Sequence, residues 1–138
     1  MSGVYASVLR RRALAFLEEA REARDPDLAV FFAEQAMQLY TKATLYELFG
    51  ERVRTHGIRE LLGLLARLLE EAGFVEEAER VRGFVAENRG LLIEAEEAYT
   101  LARYGETGYT RGDAERVIRL AEELIKLLEG VAESVKMG

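Results

Sequence analysis

The chain has no cysteine, one proline, one histidine and one asparagine. Without cysteine there is no disulfide, no thiolate metal site and no catalytic thiol. With His56 as the only imidazole, a zinc site is not expected, and no metal or cofactor is assigned from sequence. No run of about 18 apolar residues is present, so no membrane span is expected. The opening MSGVYASVLRRRALAFLEEA places its arginines after the first apolar stretch and glutamates soon afterwards. That order is unlike a secretory leader, and a cytoplasmic location is the expectation. Asn88 is the lone asparagine, arginine far outnumbers lysine and glutamate is abundant. Few thermolabile amides and many ion-pair formers suggest a thermophile.

What is present is helix-forming sequence. The 138 residues are 49% hydrophobic and 32% charged, the balance of a globular chain rather than a disordered one. That length suits a single domain, 1–138, able to bury a sizeable core without a covalent or metal staple. The formal net charge of −6 argues against bulk attraction to nucleic acid, although Arg10, Arg11 and Arg12 form a local basic run.

Apolar residues recur at spacings of three and four throughout, and no alternating strand pattern competes. Val4 to Arg24 reads as a first helix, ended by Asp25-Pro26, where Asp25 can cap the next helix and Pro26 can occupy its first turn. The second helix is expected over Pro26 to Phe49, stopped by Gly50. A third spans Ile58 to Ala72, and Gly73 ends it. Val75 to Ala102 reads as one long helix or two in series, with an interruption near Asn88-Arg89-Gly90. YGETGYTRGD, Tyr104 to Asp113, carries turn chemistry; Asp113 is the expected N-cap of a last helix over Ala114 to Val135. The expected fold is all-α, an antiparallel up-and-down helical bundle of about five helices.

The second helix is apolar on two sides. At 100° per residue, Leu28, Phe32, Leu39, Ala43 and Tyr46 share one face, while Val30, Met37 and Leu48 lie nearly opposite. Such a helix is central in a bundle or shared with a partner subunit, and a homodimer would bury the second stripe across a two-fold axis. Gln35, Gln38 and Lys42 fall on one flank at spacings i, i+3 and i+7, beside Phe31 and Phe49. They form a polar ladder two turns long.

The run DPDLAVFFAEQAMQLYTKATL, then His56 followed by IRELLGLL, then ARYG with Tyr109 beyond it, resembles HEPN domains. These are small all-helical proteins, and the likeness covers nearly the whole chain in order, with Ala33 to Ala43 and Ala102 to Tyr104 its most specific parts. The resemblance implies an up-and-down bundle, usually dimeric, and frequent pairing with a separately encoded minimal nucleotidyltransferase, often as a toxin–antitoxin couple. Carried over by position, the family-like residues are Gln35, Gln38, Lys42, His56, Arg103 and Tyr104. HEPN ribonucleases carry an Arg-x4-6-His motif. Here Arg103 is followed, after five residues, by Tyr109 instead of histidine, and Arg52 precedes His56 with three residues between. Gly105 stands where proline often follows the tyrosine.

Metal-independent RNA cleavage requires an acid or base active near neutral pH and a cation for the phosphorane charge. Arg103 can supply the cation, but Tyr109, with an ordinary pKa of about 10, is a poor base. The leading expectation is therefore a non-catalytic partner of a minimal nucleotidyltransferase that binds nucleotide; a divergent ribonuclease with Arg103 and Tyr109 as its catalytic pair is the second, and a ligand-free dimeric interaction scaffold the third. A nucleotide site is chemically coherent: Lys42 with Arg103 meets a phosphate, Gln35 or Gln38 reads a base or ribose edge, and Phe31, Tyr40 or Tyr104 stacks on the base. The competing reading has the glutamine and lysine groups bonding within the fold. No Gly-rich phosphate loop, GxGxxG or Walker sequence decides between them. His56 reads as a loop-anchoring or helix-capping histidine. An exposed loop tyrosine, Tyr104 or Tyr109, is a further candidate as acceptor of a nucleotidyl group from the partner enzyme. The pairs Glu76-Glu77, Glu96-Glu97 and Glu122-Glu123 read as solvated helix faces.

Overall fold

The structure is a computed structural model that describes the backbone of residues 2–104 and 108–138 and the side chains of 3–99 and 108–138. Among the described residues there are six helices and no strand: α1 (Ser2–Glu22), α2 (Pro26–Phe49), α3 (Ile58–Glu71), α4 (Val75–Glu87), α5 (Arg89–Tyr104) and α6 (Arg111–Met137). None of these helices is long and apolar enough to cross a membrane.

The helix count exceeds the expected five because the Val75–Ala102 stretch is two helices in series. Asn88 breaks it: the residue leaves helical geometry and its side-chain amide donates to the Phe84 carbonyl at 2.9 Å. Asp25 caps α2 as expected, accepting from the Asp27 amide, and Gly50 closes that helix in the left-handed region at φ 69°. The start of α6 differs from the sequence expectation. Thr110, not Asp113, is the N-cap, and Asp113 is the third residue of a reciprocal capping box. An aspartate three residues into a helix reaches back to the cap amide as well as a cap residue reaches forward, so the sequence alone leaves the two starts equivalent.

Contacts between helices fix their directions. Tyr5 meets Tyr46 and Phe16 meets Phe32, so α1 and α2 are antiparallel. Phe31 stacks on Tyr99 while Glu34 and Glu96 share one pocket, which makes α5 antiparallel to α2. Asp27 accepts from the Tyr109 amide and Glu47 pairs with Lys136, so α6 runs in the same direction as α2. The α3–α4 hairpin is held by Arg82 on Glu70.

The core is built around α2. Ala29, Val30, Ala33, Ala36, Met37, Ala43 and Leu45 have no exposed surface, whereas Leu28 is 45% exposed and Leu39 and Tyr46 are only partly covered. Of the opposite face, Val30 and Met37 are thus fully inside, while Leu48 near the end of the helix is partly covered. α2 touches α1, α3, α5 and α6, so its two-sided apolar character is accounted for within one chain. Four polar side chains are buried with it: Glu34, Gln38, Thr41 and Thr44. The threonines bond back to the carbonyls of Met37 and Tyr40 one turn earlier, a local solution that needs no neighbour.

Candidate functional site: a buried carboxyl and its polar cluster

Beyond Gly50 the chain forms neither helix nor strand over 50–57 before α3 begins. The left-handed Gly50 turns it back along α2, and six residues later the His56 ring lies against side chains two to three turns before the end of that helix. His56 is thereby brought to the ladder.

The cluster begins at Glu34, which is 1% exposed and was not singled out in the sequence. Gln35 Nε2 donates to Glu34 Oε1 at 2.8 Å, and Gln38 Nε2 donates to Glu34 Oε2 at 2.9 Å. Gln38 Oε1 then faces Lys42 Nζ at 3.3 Å and His56 Nδ1 at 3.0 Å. Lys42 Nζ also lies 3.3 Å from His56 Nδ1. The orientation of Gln38 follows from this: its donor end meets an acceptor-only carboxylate, and its acceptor end meets a donor-only ammonium. His56 Nδ1 donates to Gln38 in one tautomer and accepts from Lys42 in the other. No buried side-chain nitrogen or oxygen among the described residues lacks a hydrogen-bond partner.

Burial pushes the Glu34 carboxyl up to about 7, a rise that Glu96 reinforces and that the two glutamine amides and Lys42 partly offset. Burial also lowers the Lys42 ammonium, with Glu34 opposing the change. The carboxyl and ammonium are therefore both displaced toward their neutral forms by the same dry surroundings.

Across from α2, α5 supplies Glu96 and Tyr99. Glu96 accepts from Arg59 Nε at 2.8 Å, Arg59 Nη2 at 3.3 Å and the Arg59 backbone amide at 3.2 Å. Gly57, the N-cap of α3, has no side chain to satisfy that amide. A carboxylate from α5 does so instead, at the positive end of the helix dipole. Glu96 is thus a pairing and capping group rather than a solvated face. Tyr99 stacks on His56 with ring centres 5.5 Å apart, and on Phe31 at 6.4 Å. Glu34, His56, Gly57, Glu96 and Tyr99 enclose a pocket of about 150 Å³. An anion entering it meets two carboxylates. Among the described residues no three His, Asp or Glu side chains are grouped to hold a metal ion.

Gln35, Gln38, Lys42 and His56 are therefore brought together. Tyr40, considered for base stacking, is 5% exposed and lies instead under Arg10, 6.0 Å from the ring centre. Arg103 and Tyr104 belong to the last turn of α5, and their side chains lie outside the described residues. By register Arg103 falls one turn beyond Tyr99. Tyr109 stands apart from the cluster: its hydroxyl donates to the Glu94 carbonyl at 3.1 Å, and burial, with Glu94 and other nearby carboxylates, pushes it up to about 12.

Glu34 and Glu96 are the residues that sequence reading missed. For Glu34 a signal existed. It sits between two apolar stretches, four residues before Gln38, the spacing that stacks side chains on one helix face. For Glu96 none existed, because its partner is 37 residues away.

A helical bundle whose second helix carries a Glu-Gln-Lys ladder, buried at Glu34 and Gln38 and met by a histidine from the following segment, defines a small all-α domain of a recognisable kind. The chain belongs to the HEPN domain family, whose model matches residues 6–131. No curated protein and no solved structure matches it.

Proposed function

We propose that the chain is a HEPN protein that acts as the partner of a minimal nucleotidyltransferase, in a toxin–antitoxin type of couple, and does not cleave RNA with the Arg-x4-6-His mechanism. The observation that carries the reading is Tyr109. It occupies the place where that motif would put histidine, its hydroxyl is committed to the Glu94 carbonyl, and burial with nearby carboxylates holds its pKa near 12. A group that holds its proton so firmly accepts none at neutral pH. His56, the only histidine, is bonded within the polar cluster. As in the family, the working form is a homodimer. Isolation of the native complex from the host, with mass identification of its components, tests the partnership: recovery of a nucleotidyltransferase supports it, and recovery of the chain alone rejects it. Light scattering at micromolar concentration tests the dimer, which a monomer mass would reject.

A second reading, a divergent ribonuclease, is favoured by one relationship. His56 stacks on Tyr99, and Arg103 follows Tyr99 by one turn in the register of α5. RNA cleavage by the purified chain that disappears in both His56→Ala and Arg103→Ala would establish this reading in place of the first.

A further inference from the structure

Lysine is scarce: Lys42, Lys126 and Lys136 are the only ones in a chain that otherwise uses arginine. Their surroundings differ. Lys126 is exposed, and Lys136 Nζ pairs with Glu47 at 3.0 Å. Lys42 is half-buried and has no carboxylate within ion-pair distance among the described residues. Gln38 stands between it and Glu34, so Nζ meets an amide oxygen and an imidazole nitrogen, each at 3.3 Å. An arginine could fill the same structural place with more donors, but a guanidinium keeps its charge and is no nucleophile.

We propose that Lys42 is a site of covalent carbonyl capture, forming an imine with small uncharged aldehydes, with His56 as the proton carrier. Burial holds the Lys42 ammonium below the ordinary lysine range and so enlarges the share of free amine, the form that attacks a carbonyl carbon. His56 Nδ1 already lies against Nζ, in reach of the proton that must move. His56 is exposed, so the pair is open to solvent, and its ring also lines the pocket of about 150 Å³ with Glu34, Glu96 and Tyr99. At about 30 Å³ for each water displaced, such a space admits a molecule of only a few heavy atoms. Its two carboxylates repel anionic carbonyl compounds and leave uncharged ones.

The chemistry balances without a redox partner. Nζ attacks the carbonyl carbon, forming the C–N bond while the C=O π pair moves to oxygen. His56 Nδ1 takes a proton from the nitrogen and delivers it to that oxygen, giving the carbinolamine. The nitrogen lone pair then forms C=N, the C–O bond breaks, and the hydroxyl leaves as water with a proton from the imidazolium. The iminium N–H returns that proton to His56. Imine formation removes the Lys42 protons that face Gln38 and His56, so capture also loosens the hold on segment 50–57.

The experiment incubates the full chain with acetaldehyde and cyanoborohydride at pH 8, which fixes any imine as an ethylamine. Peptide mass mapping then gives a rate for each lysine. Lys42 should be ethylated about tenfold or more faster than Lys126 and Lys136, because the free amine is the reacting form. Glyoxylate, an aldehyde that carries a carboxylate, should show no such preference. His56→Gln should slow Lys42 about tenfold or more and leave the Lys126 rate at its parental value. Glu34 is ionised above about 7 and opposes loss of the Lys42 proton, so Glu34→Gln should speed the modification of Lys42. If His56→Gln fails to fold, shown by equal rates at all three lysines, Glu34→Gln carries the test. The proposal is overturned if Lys42 reacts no faster than Lys126 in the parent, if glyoxylate keeps the preference, or if both variants behave like the parent.

Discussion

Gln38 bonds Glu34 one turn earlier on α2 through its amide nitrogen, at 2.9 Å, while its oxygen faces Lys42 and His56. One neutral side chain therefore separates a buried carboxyl from a cation and an imidazole. Each end of the amide meets the group it can satisfy, so the four side chains are ordered together and tie segment 50–57 to the central helix. Removing Glu34 or Gln38 leaves a buried polar atom of the other without its partner, a cost of about 1–3 kcal/mol.

Stability should fall as pH rises through neutrality. The folded state holds the Glu34 proton up to about 7, whereas the unfolded chain releases it near 4.5. This group's destabilisation is therefore absent below about 4.5 and complete above about 7. Linkage puts the difference at about 3 kcal/mol. Urea unfolding at pH 5 and pH 8.5 measures it, and Glu34→Gln should flatten most of the decline. An equal decline in that variant would assign the effect to another group.

Lys42→Met should push the Glu34 titration higher, because the ammonium lowers it. A carbon-13 titration of the Glu34 carboxyl in the variant should have its midpoint above that of the parent. The same substitution removes the Lys42 contacts with Gln38 and His56, so amides in 50–57 should exchange faster than in the parent. Unchanged exchange would show that the segment is held by other contacts.

Tyr109→Phe should cost about 1 kcal/mol, the net contribution of its hydroxyl bond to the Glu94 carbonyl. Thermal unfolding would report this as a drop of about 4 °C. Ultraviolet titration of the parent should include a tyrosine ionising near 12, missing from the variant. If Tyr109 ionised near its ordinary value instead, the argument against it as a base would fail.

Gly50→Ala should destabilise by about 1 kcal/mol. The added methyl meets nothing, so the cost arises from φ 69°, which a residue with a Cβ adopts reluctantly. Because Gly50 redirects the chain toward His56, the variant should also broaden the His56 ring signals in proton spectra. Sharp, unshifted signals with parental stability would sever that link.

Much of the architecture was legible before any coordinate. Apolar residues at spacings of three and four mark the helices, Asp25, Pro26, Gly50 and Gly73 mark ends, and Asn88 marks a break. These are local effects, each decided within about one turn of chain. The AEQAxQLxxKA run carried the family, which the match over 6–131 shows. Less legible was which side of α2 would be buried, since a helix surrounded by four others has no outer stripe to reveal its orientation. Thr110 and Asp113 were equally good caps on paper.

The sequence by itself determined where the helices form and that Gln35, Gln38 and Lys42 share a flank, because a helical period is fixed by neighbours three and four residues away. Only the tertiary structure decided that Glu34 is buried at the head of that ladder, that His56 returns to it, and that Glu96 leaves α5 to cap α3 and hold Arg59. Those contacts join residues 18 and 37 positions apart. They depend on the direction in which the chain leaves Gly50 and on how α5 packs against α2. Burial and charge then follow from that packing.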